Sequence, residues 1–278
     1  MSMSLRLEQI DRFLCFYGRV SRDMLVEVLG ISTATASRSL REYCSVHPKS
    51  IKLVSGQSGG YRVSDNFIAK VNYDAEAALQ LICNGTITNT INIPTYGPEH
   101  TAIRRVGLRT EIVAPITRAI VSSSAASIAY TSGSSGVTER IVHPSHVFSG
   151  GGAWYFRAFD EKSAEYRTFK FSRVTAARDC EQIAPVIEDS DWKKVVILTI
   201  IPHDKHPHPE ANALDIGVMK GRVQNVQSNA VIAGFLLNDL RVDCSAGGSL
   251  NPLEYPFRLI NLHELVDIGS MKIAPGYY

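Results

Sequence analysis

Ser32-Thr33-Ala34-Thr35-Ala36-Ser37-Arg38-Ser39-Leu40-Arg41-Glu42-Tyr43 is the stretch whose reading decides the fold. Ala36, Leu40 and Tyr43 recur at helical spacing, which predicts a helix from about Thr33 to Tyr43 with one inward side. Ser32 is placed to cap it. The opposite face centres on Ala34, Arg38 and Arg41, flanked by Thr33, Thr35 and Ser37. Small hydroxyl residues let a helix sink into a major groove, where arginines reach base edges or phosphates. A polar face is also what any surface helix has, so the neighbouring segments decide.

Upstream, Leu7, Ile10, Phe13, Leu14 and Tyr17 give a first amphipathic helix that Gly18 closes. Ser21 caps a second, with Met24, Leu25, Val28 and Leu29 inward and Gly30 at its end. Two short helices joined by Gly30-Ile31-Ser32 make a helix-turn-helix. Downstream, Ile51–Val54 and Gly60–Val63 are strand-like and flank Ser55-Gly56-Gln57-Ser58-Gly59, a hairpin with a flexible tip. Placed after a recognition helix, the hairpin reads as a wing. Lys52, Gln57 and Arg62 are then candidate phosphate or minor-groove contacts, added to Ser32, Thr33, Thr35, Ser37, Arg38 and Arg41.

Charge agrees with that reading. The chain of 278 residues has a net charge of +2, but residues 1–70 carry ten basic and six acidic residues, and the remainder is slightly acidic. A basic end on an acidic body suits a protein that meets phosphate with one end. Its length fits two or three domains. No apolar run approaches the roughly 20 residues of a membrane span, and the charged N-terminus does not resemble a secretory signal. A cytoplasmic location is expected. The five cysteines, Cys15, Cys44, Cys83, Cys180 and Cys244, form no Cys-x-x-Cys pair, so reduced, buried thiols are expected.

After the wing, Asp74 caps a helix that Gly85 stops, and Ile93–Pro98 is turn-rich. A helical stretch from about Thr101 to Ser122 should be broken or kinked at Pro115. From Ser127 the period becomes that of strands. Four are expected, around residues 128–131, 140–144, 153–159 and 167–174, in a small antiparallel sheet or barrel. Tyr155, Arg157 and Phe159 share one face of their strand, and Arg167, Phe169, Phe171 and Arg173 share one of theirs. Arginines among aromatics suit an anionic, ring-containing ligand, but they equally suit guanidiniums lying over an aromatic core. His143 and His146 have no carboxylate or cysteine companion nearby in the sequence. His203, His206 and His208 lie in a proline-rich stretch read as an exposed loop. No metal and no cofactor is expected. Val195–Ile200 reads as a buried strand, and Gln224–Leu240 as a helix, together a small α+β unit.

The residues resemble the WYL-domain transcription regulators. The family's Trp-Tyr-Leu triplet stands here as Trp154-Tyr155-Phe156, accompanied by Tyr130, His143-Pro144, Arg157–Asp160 and Arg167-x-Phe169-x-Phe171-Ser172-Arg173. Tyr17–Arg22, Gly30–Arg38 and the tail from Trp192 are similar to the CapW/BrxR type, repressors of anti-phage defence operons. The resemblance implies an α+β multidomain protein: a winged helix-turn-helix over 1–70, a helical linker over 71–124, a small antiparallel β (Sm-like) WYL domain over 125–188 and a C-terminal α+β dimerisation extension over 189–278. It implies a homodimer on palindromic double-stranded operator DNA, controlling a defence operon of CBASS or BREX type. It also implies an anionic ligand, nucleotide or nucleic acid, at Tyr130, Ser132, His146, Arg157, Arg167 and Arg173. An activator is the alternative in the same class. A nucleic-acid-processing enzyme would need clustered carboxylates or a paired nucleophile and base, and the sequence has no such motif.

Overall fold

The computed structural model describes residues 2–54, 60–83, 107–133, 136–183, 187–217 and 223–278. They fall into two compact units, Met1–Phe148 with Trp154–Pro185, and Ser149–Ala153 with Val186–Tyr278.

The first unit opens with α1 (Met3–Tyr17), which ends at Gly18 in the left-handed region (φ 67°) with its N–H on the Leu14 carbonyl. Only a residue without Cβ takes that conformation at little cost. A two-residue strand β1 (Arg19–Val20) leads to α2 (Arg22–Leu29), whose N-cap Ser21 accepts from the Met24 N–H. Gly30, again left-handed, ends α2, and α3 (Thr33–Val46) starts three residues later. β2 (Ile51–Val54) and β3 (Gly60–Val63) pair antiparallel, and β1 adds on the far side of β3, giving the order β1-β3-β2. Ile10, Phe13, Leu14, Val20, Leu25, Ala36, Leu40, Tyr43 and Ile51 form the core. Each larger one contributes about 1.5–3 kcal/mol by leaving water. This is a winged helix-turn-helix.

Asp74 starts α4 (Ala75–Cys83) by accepting the Glu76 and Ala77 N–H groups. The next helix, α5, spans Thr110–Ser122. It starts later than the sequence suggests, because Gly107–Arg109 are not helical; residues 101–106 lie outside the described set. It also runs through Pro115 without a break. A proline costs about 3 kcal/mol inside a helix, and the burial of Ile112, Val113 and Ile116 offsets this.

Five strands follow rather than four: β4 (Ser124–Ser132), β5 (Gly136–Gly150), β6 (Ala153–Asp160), β7 (Glu165–Lys170) and β8 (Val174–Ile183), in the order β7-β6-β5-β4-β8. The expected strand at 167–174 divides in two. It leaves the sheet at Phe171–Arg173, a 3-10 turn that carries the chain from one edge strand to the other. Arg173 therefore does not share a strand face with Arg167 and Phe169. α5 packs on β8 and β4 over Ile116, Ala126, Ile128, Phe156, Phe169 and Phe171.

The second unit holds α6 (Ser190–Lys193), β9 (Val195–Pro202), α7 (Pro209–Asp215), β10 (Gln224–Asn229), α8 (Ala233–Asp239), β11 (Val242–Asp243) and β12 (Phe257–Leu259). Its sheet runs β10-β9-β12-β11, with β11 parallel to β12 and the other pairs antiparallel. The helix expected over Gln224–Leu240 is half strand. Gln224–Asn229 completes six register pairs with β9, and only Ala233–Asp239 is helical. His203 is not exposed as expected. It is fully buried, with Nε2 3.2 Å from Asp243 Oδ2 and Nδ1 accepting from the Lys205 N–H. Cys15 and Cys244 are buried thiols, pushed up to about 11 and about 12 by burial. Cys44 and Cys180 are only half-buried, a correction to the expectation for them.

Candidate nucleic-acid interface

The geometry of α3 follows from its cap. Ser32 Oγ accepts from the Thr35 N–H at 3.2 Å and shares a 2.9 Å hydrogen bond with Thr35 Oγ1. Those bonds satisfy the first turn and set the helix phase. Ala36, Ser39, Leu40 and Tyr43 then face inward. Ser39 is buried because its hydroxyl donates to the Thr35 carbonyl and accepts from Arg6 Nε. Thr33, Ala34, Arg38 and Arg41 are exposed, with Thr35 and Ser37 half-buried between them. The exposed strip thus has small side chains beside two guanidiniums, a shape that admits close approach of a helix axis to a base-pair edge.

The wing adds a second positive feature. Register places Arg19 of β1 opposite Arg62 of β3, and Arg62 opposite Lys52 of β2. Residues directly opposite share a face, so three cations form one row across the sheet, each exposed. Like charges in such a row repel, and neutralisation by a polyanion reverses that cost. Lys52 is held by Asp65 at 2.7 Å, an exposed pair of little strength. Arg19 has no signal in the sequence, since a two-residue strand carries no periodicity. Gln57 lies outside the described residues.

In the five-stranded sheet the six candidate ligand contacts separate. Arg157 pairs with Thr168, whereas Arg167 pairs with Ala158, so the two arginines point to opposite faces. On the first face Arg157 lies over the Tyr166 ring at 5.8 Å, with Nη1 donating to Thr168 Oγ1 at 3.5 Å. Lys170 lies over Tyr155 at 5.9 Å, and Tyr155 stacks on Phe148. This is a face where cations and aromatic rings interleave, and Lys170 belongs to it although the sequence reading omitted it. The other face is core. Phe156 stacks on Phe169 and touches Phe171. Tyr130, also buried, meets Phe169 edge-on and accepts the Lys170 N–H on its hydroxyl. Arg167 lies at the rim, exposed and forked onto Glu165. Ser132 ends β4 opposite Gly136, and His146 Nδ1 is 3.0 Å from Ser145 Oγ, both half-buried. Arg173 is exposed on its 3-10 turn. The sequence reading also missed Arg140, paired with the fully buried Asp160 and lying over the Phe169 ring.

Among the described residues no group of three or more His, Cys, Asp or Glu side chains is placed to hold a metal, and no helix is long and apolar enough to cross a membrane.

Comparison with known proteins gives a consistent picture. The BrxR transcriptional regulator winged helix-turn-helix domain matches residues 2–84, and the WYL domain matches residues 111–179. The chain is similar to the DNA-binding transcriptional repressor CapW of Escherichia coli (strain KTE188), with 28% identity over 209 residues, 71% of this chain and 69% of that protein. A second Escherichia coli CapW sequence matches to the same extent. Among solved structures, Proteasome accessory factor B/C (PafBC) of Arthrobacter aurescens aligns over 98% of this chain and 45% of its own, at 17% identity and a TM-score of 0.29. The first of these matches is to the DNA-binding domain of a transcriptional regulator.

Proposed function

We propose that this chain, which joins a BrxR-type winged helix to a WYL domain, is a transcription regulator of the CapW/BrxR type and a sequence-specific, ligand-relieved repressor. The observation that carries the reading is the exposed strip of α3, where Arg38 and Arg41 stand among Thr33, Thr35 and Ser37 behind the Ser32 cap. The helix enters the major groove and Arg38 reads a base edge. Lys52, Arg62 and Gln57 hold the flanking backbone, with Arg19 in the same row as the first two.

The protein acts as a homodimer on a palindromic site. Residues 189–278 are the proposed dimerisation extension. Val195 and Ile197, 59% and 53% exposed on one side of β9, support an apolar contact there. A dimer seated over two successive major grooves blocks polymerase. The target is a phage-defence operon of CBASS or BREX type, as the family resemblance implies, and the protein works in the cytoplasm. Relief comes from an anionic ligand, a nucleotide or nucleic acid, bound by the WYL domain over 125–188. The 71–124 segment connects the two ends. Of the proposed contacts Tyr130, Ser132, His146, Arg157, Arg167 and Arg173, Arg157 leads, because Tyr155, Tyr166 and Lys170 share its face. Stacking and charge on one face are what a nucleotide requires.

A gel-shift with the duplex upstream of the chain's own gene tests the reading. Retention of that duplex against an excess of random DNA is expected. Equal competition by random DNA contradicts it.

A further inference from the structure

A run of hydrogen bonds, joined through the covalent chain at Tyr73 and at Arg109–Thr110, leads from the recognition helix to the edge of the WYL sheet, inside one compact unit. It begins on the buried side of α3. The Tyr43 hydroxyl donates to Asp11 Oδ1 of α1 at 2.5 Å. Asp11 is 1% exposed, and its Oδ2 accepts both the Tyr73 hydroxyl at 2.9 Å and the Lys70 N–H at 2.8 Å. Lys70 and Tyr73 lie on the stretch between the wing and α4. The Tyr73 carbonyl accepts from Thr110 Oγ1, the first residue of α5, at 3.0 Å. Next to it, Arg109 Nη2 donates to the Thr175 carbonyl of β8 at 2.8 Å. A second strut runs in parallel. Arg118 of α5 donates Nη1 to the Cys15 carbonyl of α1 and Nε to Asp179 of β8, both at 3.0 Å.

Asp11 is the critical node. A carboxylate with almost no access to water depends on its protein donors, and here they come from two places far apart in sequence, Tyr43 of α3 and the Lys70–Tyr73 stretch. Moving any one of them away strips a buried charge of a partner. The ring of Tyr73 is clamped edge-on by Phe16 at 5.9 Å and covered by Arg12 at 5.3 Å, so its hydroxyl cannot follow a displaced partner by simple rotation. Burial and the nearby carboxylate push both tyrosine hydroxyls up, which keeps them protonated as donors.

We propose that Asp11 and Tyr73 are positioning residues that couple β8 of the WYL sheet to the tilt of the recognition helix. The inference rests on α3 being the DNA-reading element. A ligand that shifts β8 draws on Arg109 and Arg118, hence on α5 and Tyr73, and Asp11 passes the strain to Tyr43. Coupling of this kind is reciprocal, so DNA bound at α3 must in turn steady β8.

That reciprocity gives a test that needs no effector. Hydrogen–deuterium exchange is measured on the full chain with and without its upstream duplex, for wild type, Tyr73→Phe and Thr110→Val. Each substitution removes one hydroxyl of the run and leaves the Tyr43–Asp11 bond, α3 and the wing in place. In the wild type, DNA should slow exchange in α3 and, by about fivefold, the low end of ordinary coupling between sites, in residues 174–183 of β8. In both variants the protection of α3 should persist and that of β8 should fall, with the Arg118 strut to Cys15 and Asp179 carrying what remains, and DNA affinity should be unchanged. Protection of β8 that is undiminished in both variants overturns the proposal, as does a wild type in which α3 is protected and β8 is not. An α3 that DNA leaves unprotected counts against the recognition-helix reading itself, and the coupling falls with it.

Discussion

Arg38 and Arg41 in α3, and Arg157 and Arg167 in the WYL sheet, are each expected as a pair to share a surface, the first pair from helical spacing and the second from the family resemblance. In α3 the expectation holds. Three residues along a helix return to the same side, and both arginines are exposed there. In the sheet it fails. Arg157 stands opposite Thr168 and Arg167 opposite Ala158, so one faces the interleaved cations and rings while the other sits at the rim of the core. A helical face is set by local geometry. A sheet face is set by register between strands, and a shift of one residue reverses it.

Several substitutions would break or sharpen that contrast. The largest effect should come from a residue on neither candidate list. Asp160→Ala leaves the Arg140 guanidinium without its buried partner and should cost about 3–5 kcal/mol of stability, measured by denaturant unfolding. Arg38→Ala should leave stability unchanged and cost about 1–3 kcal/mol of operator affinity by fluorescence anisotropy. Ser32→Ala removes the cap that phases the same helix and should cost about 1 kcal/mol of stability. The smallest effect belongs to Arg167→Ala. Its exposed contact with Glu165 should be worth less than about 1 kcal/mol, whereas Arg157→Ala should lower the melting temperature visibly through lost packing over Tyr166. Equal losses for Arg157 and Arg167 would erase the distinction between the two faces.

The same physics explains what could be read from the sequence. Ser21, Gly30, Ser32 and the alternating strands of the wing are local signals, and each sits where the spacing puts it. The edge strand β8 was not legible, because Thr175-Ala176-Ala177-Arg178-Asp179 shows no apolar alternation and is a strand only because β4 pairs with it. Gln224–Asn229 misled for the same reason, being drawn into a strand by β9. The turn at Phe171–Arg173 hides inside an unbroken β-like pattern. Arg19, Lys170, Arg140 and the buried Asp11 take their roles from partners 15 or more residues away in the chain, which periodicity does not register. His203 misled for a different reason. Its proline-rich surroundings indicate a loop, but Asp243 and the Lys205 N–H satisfy the imidazole and allow it to be buried.

The central claim, that α3 reads sequence through Arg38, is tested most directly by a double-mutant cycle between Arg38→Ala and single base-pair substitutions across one operator half-site. The account predicts one position at which the wild type loses about 1–3 kcal/mol on base substitution and the variant loses almost nothing. A variant that binds every duplex more weakly by the same factor, with base preferences intact, would make Arg38 a phosphate contact and contradict the claim.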